Sequence, residues 1–187
     1  MKKLQECDYV TAANLLGCEV AAIKAVDEVE SRGSGFLPSG KPTILYERHY
    51  FHRLTAGKYS ATHPHISNIK PGNYGASGEH QHTRLEEAAK LNRNAALQSA
   101  SWGRYQIMGS NWDELGYTSL QEFINAMYAN ETEHLMAFVK FVKVNNLTKA
   151  IRNKDWKTFA AGYNGKNYAI NQYDKKLAIA YAKFSRK

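Results

Sequence analysis

The sequence has few of the features that tie a protein to a membrane or to a covalent framework. No stretch approaches the roughly 18 apolar residues that a membrane-spanning helix needs. Two cysteines, Cys7 and Cys18, are too few for a disulfide framework. We expect reduced thiols, with a single bridge between them as the alternative. The segment Met1–Asp8 has no apolar run, which predicts that no secretory signal is cleaved and that the chain is made in the cytoplasm.

Internal repeats, low-complexity tracts and linker-like composition are also lacking. Hydrophobic residues make up 43% of the chain and charged residues 22%, the balance of an ordinary globular protein. A chain of 187 residues can bury a sizeable core without disulfides or metals. The sequence therefore predicts a single domain over residues 1–187.

Basic residues outnumber acidic ones. There are 25 lysines and arginines against 17 aspartates and glutamates, which gives a formal net charge of +8. Such a balance favours polyanionic partners, namely nucleic acid, an anionic membrane or an acidic cell wall. The basic residues are scattered apart from Lys183–Lys187, and no predicted helix has a continuous basic stripe. A basic nucleic-acid-binding domain is therefore the weaker alternative.

Helical patterns dominate the chain. The predicted helices cover residues 8–17, 19–31, 83–97, 120–129, 132–144, 154–161 and 171–184. Residues 43–47 are typical of a short strand. Between Ala56 and His82, repeated glycines and prolines predict a long loop, and loops of that length in compact domains are often functional. The predicted fold class is mostly α, with a small β-hairpin or strand excursion after the second helix.

The second predicted helix ends in an acidic side chain on its apolar face. Its apolar stripe contains Ala22, Ile23, Val26 and Val29. At 100° per residue Glu30 falls on this stripe, whereas Glu28 falls nearly opposite, beside Lys24, where we expect a solvated ion pair. Burial and the helix dipole both favour the neutral form of Glu30. A protonated carboxyl is what a general acid for a glycosidic oxygen requires. The alternative is a structural glutamate paired with an arginine such as Arg32.

Later segments supply side chains that suit a sugar-binding cleft. Glycines directly after the second helix favour a turn that would bring its last residue to a surface. One later segment contains Trp102, Tyr105 and Gln106 among small residues, and another ends a helix with Tyr163 and Asn164. Amides bond to sugar hydroxyls and aromatic rings can stack on sugars, although buried aromatics more often belong to the core.

The order of these motifs resembles a known superfamily. An acid at a helix end, then Gly-x-x-Gln-Ile-Met, then Tyr-Asn-x-Gly is similar to the lysozyme-like superfamily, which includes goose-type lysozymes and soluble lytic transglycosylases. More closely, Val29–Phe36, Pro42–His49, Ala96–Gly103 and Tyr163–Gly165 resemble the N-acetylmuramidase family common among bacteriophage endolysins. The similarity extends from about residue 8 to residue 184.

The resemblance implies a mostly α, lysozyme-like domain with two lobes around a cleft. It implies a muramidase that cleaves the β-1,4 bond between N-acetylmuramic acid and N-acetylglucosamine in peptidoglycan. The catalytic acid of the family falls on Glu30. The substrate-binding residues are then expected to be Gln106, Tyr163, Asn164, Trp102 and Tyr105. Some phage relatives carry a separate wall-binding domain, which we do not expect here, and the chemistry of carboxyl groups requires no cofactor or metal.

A second catalytic carboxylate is expected at Glu47, which lies on the predicted strand. As a nucleophile it would stand about 5 Å from the acid, and as a base for water about 6.5–9.5 Å. The alternative is a structural pair with Arg48, Arg53 or a nearby histidine. Asp27, at the edge of the apolar stripe, is a further candidate.

Two other chemistries stay open. A lytic transglycosylase needs a single acid/base and leaves an anhydro end, whereas the presence of Glu47 favours hydrolysis. Six clustered histidines, with Glu79, could instead hold zinc and serve a wall peptidase, although a helix-borne His-Glu-x-x-His pattern is absent. These histidines are His49, His52, His63, His65, His80 and His82.

The expected partners and location follow from this assignment. We expect a monomer that binds peptidoglycan glycan strands and no nucleic acid, and whose basic charge contacts the anionic wall or outer membrane. Without a signal peptide the enzyme would reach the periplasm only after release, and the resemblance implies holin-type help.

Overall fold

The structure is a computed structural model that describes residues 3–31, 33–165 and 168–186. It is mostly helical, as predicted. The helices are α1 (Glu6–Leu16), α2 (Val20–Glu30), α3 (Arg48–Leu54), α4 (Glu79–Gln98), α5 (Leu120–Ala129), α6 (Glu131–Val144), α7 (Thr148–Arg152), α8 (Trp156–Asn164) and α9 (Tyr173–Phe184). The strands are β1 (Ile44–Tyr46), β2 (Ala100–Trp102) and β3 (Ile107–Met108).

The chain divides into two compact units, one of Met1–Gly35 with Asn130–Lys187 and the other of Phe36–Ala129. In the first unit α2 packs mainly against α9, while α1 packs against α2 and α6. The apolar stripe predicted for α2 lies in the core, since Ile23 and Val26 are fully buried. Phe138 of α6 and Phe159 of α8 fill the same unit. The first unit is therefore an all-helical assembly that fixes the end of α2.

No single helix of the described residues is long and apolar enough to cross a membrane. Only α1 and α2 together pass that test of length and composition, as a pair bent by 110°. Cys7 of α1 is exposed, Cys18 between α1 and α2 is half-buried, and both are free thiols.

The second unit contains the small β-structure. β1, β2 and β3 form an antiparallel sheet in that order, with Ile44 opposite Trp102 and Ser101 opposite Met108. The partner of β1 is thus not an adjacent hairpin strand, because β2 follows only after α3, the long loop and α4. The prediction of a small β excursion after the second helix is confirmed.

Several element boundaries differ from the sequence prediction. α5 has the predicted bounds, but α3 and α7 were not predicted. The long loop ends earlier than expected because α4 begins at Glu79. Within α4, Asn92 has non-helical dihedral angles, and its side chain accepts a hydrogen bond from the Ala95 backbone N–H at 3.0 Å. Asn92 therefore caps a second helical segment inside α4.

Candidate active site

Glu30 is the last residue of α2 and is half-buried. Glu28, two residues earlier, is exposed, so the predicted contrast between the two glutamates is confirmed. The predicted ion pair of Glu28 with Lys24 is wrong. Lys24 pairs with Glu6 at 2.7 Å, whereas Glu28 pairs with Lys183 of α9 at 2.5 Å.

Asn164 provides the direct polar contact to Glu30 within the first unit. Asn164 ends α8, and its amide nitrogen lies 3.1 Å from each of the two carboxyl oxygens of Glu30. Burial raises the pKa of Glu30 from 4.5 to about 7, against the opposing effects of the Asn164 hydrogen bond and the charge of Lys176. A carboxyl with this pKa keeps a large protonated fraction near neutral pH and can donate a proton there.

Tyr163 lies beside the same carboxyl. Its ring stacks on Phe159 at a centroid distance of 5.7 Å and meets Phe138 and Phe141 edge-on at 5.7 and 5.4 Å. Burial, then the nearby Glu30 charge, raise the pKa of Tyr163 well above its usual range. The ring belongs to an aromatic cluster at the end of α8, so Tyr163 forms part of the wall next to Glu30.

The turn after Glu30 is anchored by a buried acid. Gly33 has a φ of 95°, which other residues adopt only with strain. The carboxylate of Glu131, at the start of α6, accepts the Gly35 N–H at 2.8 Å and the Leu4 N–H at 3.4 Å. Arg32, the alternative partner considered for Glu30, lies outside the described residues.

Asp27 is buried one turn before Glu30. Its carboxylate accepts a hydrogen bond of 2.8 Å from the Tyr9 hydroxyl of α1, and its backbone carbonyl accepts the Ser31 N–H. Asp27 is therefore held within the helix packing, which suits a structural role better than that of a mobile base.

Glu47 belongs to the second unit, where it lies one residue beyond β1 and directly before α3. Its side chain is 15% exposed, and one carboxyl oxygen lies 3.2 Å from Nδ1 of His49. Burial raises the pKa of Glu47, while His49, a hydrogen bond from Tyr74 and the charge of Arg84 oppose that rise. Neither Arg48 nor Arg53 is among these neighbours. The alternative that Glu47 forms a structural pair with a nearby histidine agrees with its contact with His49.

The long loop supplies Tyr74, which the sequence analysis did not identify. Gln81 of α4 donates to the carbonyls of Tyr74 and Ala76 at 2.7 Å each, and Arg84 donates to the Tyr74 carbonyl at 2.9 Å. The Tyr74 hydroxyl is thereby held against Glu47. The Gly-rich and Pro-rich composition indicated a functional loop, but it did not indicate which side chain the loop would bring to the site.

The residues around β2 and β3 that were predicted to contact substrate pack or form hydrogen bonds within the second unit. Trp102 is 1% exposed and donates its ring N–H to the Leu97 carbonyl at 3.0 Å, and Tyr105 is 2% exposed. Gln106, with a φ of 51°, donates to the carbonyls of Gly103 and Thr43 and accepts from Ser101. Burial places Trp102 and Tyr105 in the support of the sheet. Gln106 is exposed, although its amide is bonded to its own unit, and its contact with sugar stays a prediction.

The histidines do not converge on one point. His52 bonds to Ser60, His65 pairs with Glu87 at 2.8 Å, and the buried His82 bonds to the Pro42 carbonyl. Among the described residues, no group of three or more His, Cys, Asp or Glu side chains is arranged to hold a metal ion. The arrangement gives the zinc-peptidase alternative no ligand set within the described part of the chain.

A desolvated carboxyl that is partly protonated near neutral pH fits the requirement of a carboxyl-dependent glycosidase. The family model of the N-acetylmuramidases matches residues 19–185. The crystal structure of the Burkholderia AP3 phage endolysin superposes with a TM-score of 0.93 at 43% identity, over 99% of this chain and 73% of that chain. No curated protein shows significant sequence similarity. The chain belongs to the N-acetylmuramidase family and is a peptidoglycan-hydrolysing muramidase.

Proposed function

We propose that Glu30 is the general acid with which this muramidase cleaves the β-1,4 bond between N-acetylmuramic acid and N-acetylglucosamine. The observation that carries the assignment is the desolvated Glu30 carboxyl, whose pKa is raised to about 7, beside the Asn164 amide. The likeness to a phage endolysin supports a role in degrading the bacterial wall during phage release.

In this mechanism Glu30 gives its proton to the glycosidic oxygen as the bond to the muramic acid carbon breaks. The sugar left behind has oxocarbenium character and is captured by water, which yields a reducing end. The Glu30 carboxylate formed in this step is stabilised by the N–H groups of Asn164, and charge-assisted hydrogen bonds of this kind are the stronger ones. The carboxyl is reprotonated before the next turnover.

We assign the second carboxylate role to Glu47. The His49, Tyr74 and Arg84 side chains all favour its ionised form, which is the form that stabilises positive charge on the sugar or activates a water. In this role Glu47 acts either as a nucleophile or as a base for water. Of the expected substrate contacts we keep Tyr163, which lies beside Glu30, and the exposed Gln106. Asn164 binds the Glu30 carboxyl, and we assign it to that carboxyl instead of to the sugar.

The basic charge supports an electrostatic attraction to the anionic wall. Residues 130–187 contain 12 lysines and arginines against 4 acidic residues, so this part of the sequence alone carries the whole net charge of +8. We propose that the enzyme works as a monomer in the periplasm and that this segment contributes most of its attraction to wall polymers.

Mass spectrometry of borohydride-reduced digests of purified peptidoglycan tests the function. Hydrolysis predicts reducible N-acetylmuramic acid ends for the wild type, loss of products for Glu30→Gln and near wild-type release for the control Glu28→Gln. Products lighter by one water and inert to borohydride would identify a lytic transglycosylase instead. Full activity of Glu30→Gln would remove Glu30 from the mechanism.

A further inference from the structure

The side chain of Asn164 is only half used in its hydrogen bonding. Its nitrogen is equidistant from the two Glu30 carboxyl oxygens, at 3.1 Å from each. Its oxygen is buried and accepts no hydrogen bond from any described group. An unused buried acceptor costs free energy, and such atoms in native structures call for an explanation.

A general acid needs two different partners during one turnover. The ionised carboxylate only accepts hydrogen bonds, whereas the protonated carboxyl has an O–H that must be donated. An asparagine amide carries donors on one end and an acceptor on the other, and the two ends have nearly the same shape. A half-turn about the last side-chain bond of Asn164 would therefore place its oxygen where its nitrogen now lies. Because that place is equidistant from both Glu30 oxygens, the acceptor would be in reach of a proton on either one.

We propose that Asn164 is a positioning residue whose side-chain amide reverses as Glu30 gains and loses its proton. The amide oxygen accepts the Glu30 O–H before reaction, and the amide nitrogen binds the carboxylate after the proton has passed to the glycosidic oxygen. Both protonation states of the acid then have a matched partner. The proposal rests on the proposed role of Glu30 as the general acid.

The surroundings of Glu30 fit such an arrangement. α9 presents the Lys176 charge, which lies on the exposed side, and α8 presents the buried Tyr163 phenol. On α2 itself, Asp27 is bonded to Tyr9 of α1. Asn164 donates a hydrogen bond to the Glu30 carboxyl, and its amide offers both a donor and an acceptor.

Kinetics of two variants on a soluble glycan test the proposal. Asn164→Leu keeps the shape but neither function of the amide, and Asn164→Asp keeps an acceptor without the N–H donors. In both, the basic limb of the pH profile should move to higher pH, because the carboxylate loses its donor, and kcat should fall about 10- to 100-fold. KM should change little. A raised KM with an unmoved basic limb would overturn the proposal, because it would show an amide that binds sugar.

NMR of the wild-type chain provides a measurement that needs no Asn164 variant. The side-chain NH2 signals of Asn164 should titrate with the midpoint of Glu30, near pH 7, and Glu30→Gln should abolish this titration. Flat Asn164 signals across that range would contradict the reversal. Failure of the proposed function is distinguishable, because it would appear as an active Glu30→Gln enzyme whatever Asn164 does.

Discussion

Replacing Glu30 with glutamine should stabilise the protein, and by an amount that depends on pH. Burial raises the pKa of the folded state to about 7 from 4.5. Between these values the folded state holds a proton that the unfolded chain releases. The stability of the wild type should therefore fall as pH rises through this interval and level off above it. Glutamine is neutral at every pH, so the variant does not lose stability in this way.

The magnitude follows from the two pKa values. At about 1.4 kcal/mol for each pH unit, the interval between 4.5 and about 7 corresponds to roughly 3 kcal/mol. For a chain of this size that is a difference of about 6–12 °C in Tm. Glu30→Gln should thus match the wild type near pH 4 and exceed its Tm by several degrees above pH 8.

Urea unfolding of both proteins at pH 4 and pH 8.5 measures this difference. Glu28→Gln is the matched control, since Glu28 lies on the same helix and forms an exposed pair with Lys183. Surface pairs contribute roughly 0–1 kcal/mol, so the control should show little change between the two pH values. Equal effects of Glu30→Gln at both pH values would refute the claim that this carboxyl is desolvated.

Three further predictions concern other parts of the molecule. Tyr74→Phe removes a hydrogen bond that lowers the pKa of Glu47, so the acidic limb of the pH profile should move to higher pH, whereas the same-loop control Tyr59→Phe should leave it in place. Glu131→Ala leaves the Gly35 N–H without its acceptor. It should lower the unfolding free energy by about 2–4 kcal/mol, measured by chemical unfolding, and should reduce kcat, measured by initial rates. An unchanged kcat would show that this turn does not affect catalysis. Binding of the enzyme to peptidoglycan in a pelleting assay should weaken as salt rises, because exposed charges are screened beyond about 8 Å at physiological ionic strength. Cleavage of a short soluble glycan should change much less. If salt reduced binding and cleavage equally, the charge would act within the active site.

The elements that were predictable are those with a local signal. α2 shows its apolar stripe within eleven residues, and α5 shows the same kind of periodicity with clear ends. α3 has one buried residue, Phe51, among histidines, arginines and a tyrosine, so its sequence shows no apolar stripe that would predict a helix. β2 is a run of three buried residues without alternation, and its partner β1 lies far away in the chain. Non-local pairing of this kind has no local pattern.

The same distinction applies to the candidate site. The stripe on α2 separated Glu30 from Glu28 without any tertiary information. The contacts of Asn164 with Glu30 and of Tyr74 with Glu47 join residues distant in sequence, so neither contact was predicted. The family motif indicated Asn164 only as a residue that binds substrate. Trp102 shows the limit of composition, because the same aromatic ring suits a sugar platform and a core, and its burial decides between them.

Burial raises the pKa of both carboxyls, but their surroundings oppose that rise to different degrees, and this difference supports the roles proposed for them. Glu30 has one amide and one exposed lysine against burial, whereas Glu47 has a histidine, a phenol and a buried arginine. Environments that push the pKa values of two carboxyls apart separate an acid from its partner. We therefore expect a bell-shaped dependence of kcat/KM on pH, with Glu30 responsible for the basic limb near pH 7. The residual activity of Glu47→Gln on a soluble glycan should lose the acidic limb and keep the basic one. If Glu47→Gln lost the basic limb instead, the roles of the two carboxyls would have to be exchanged.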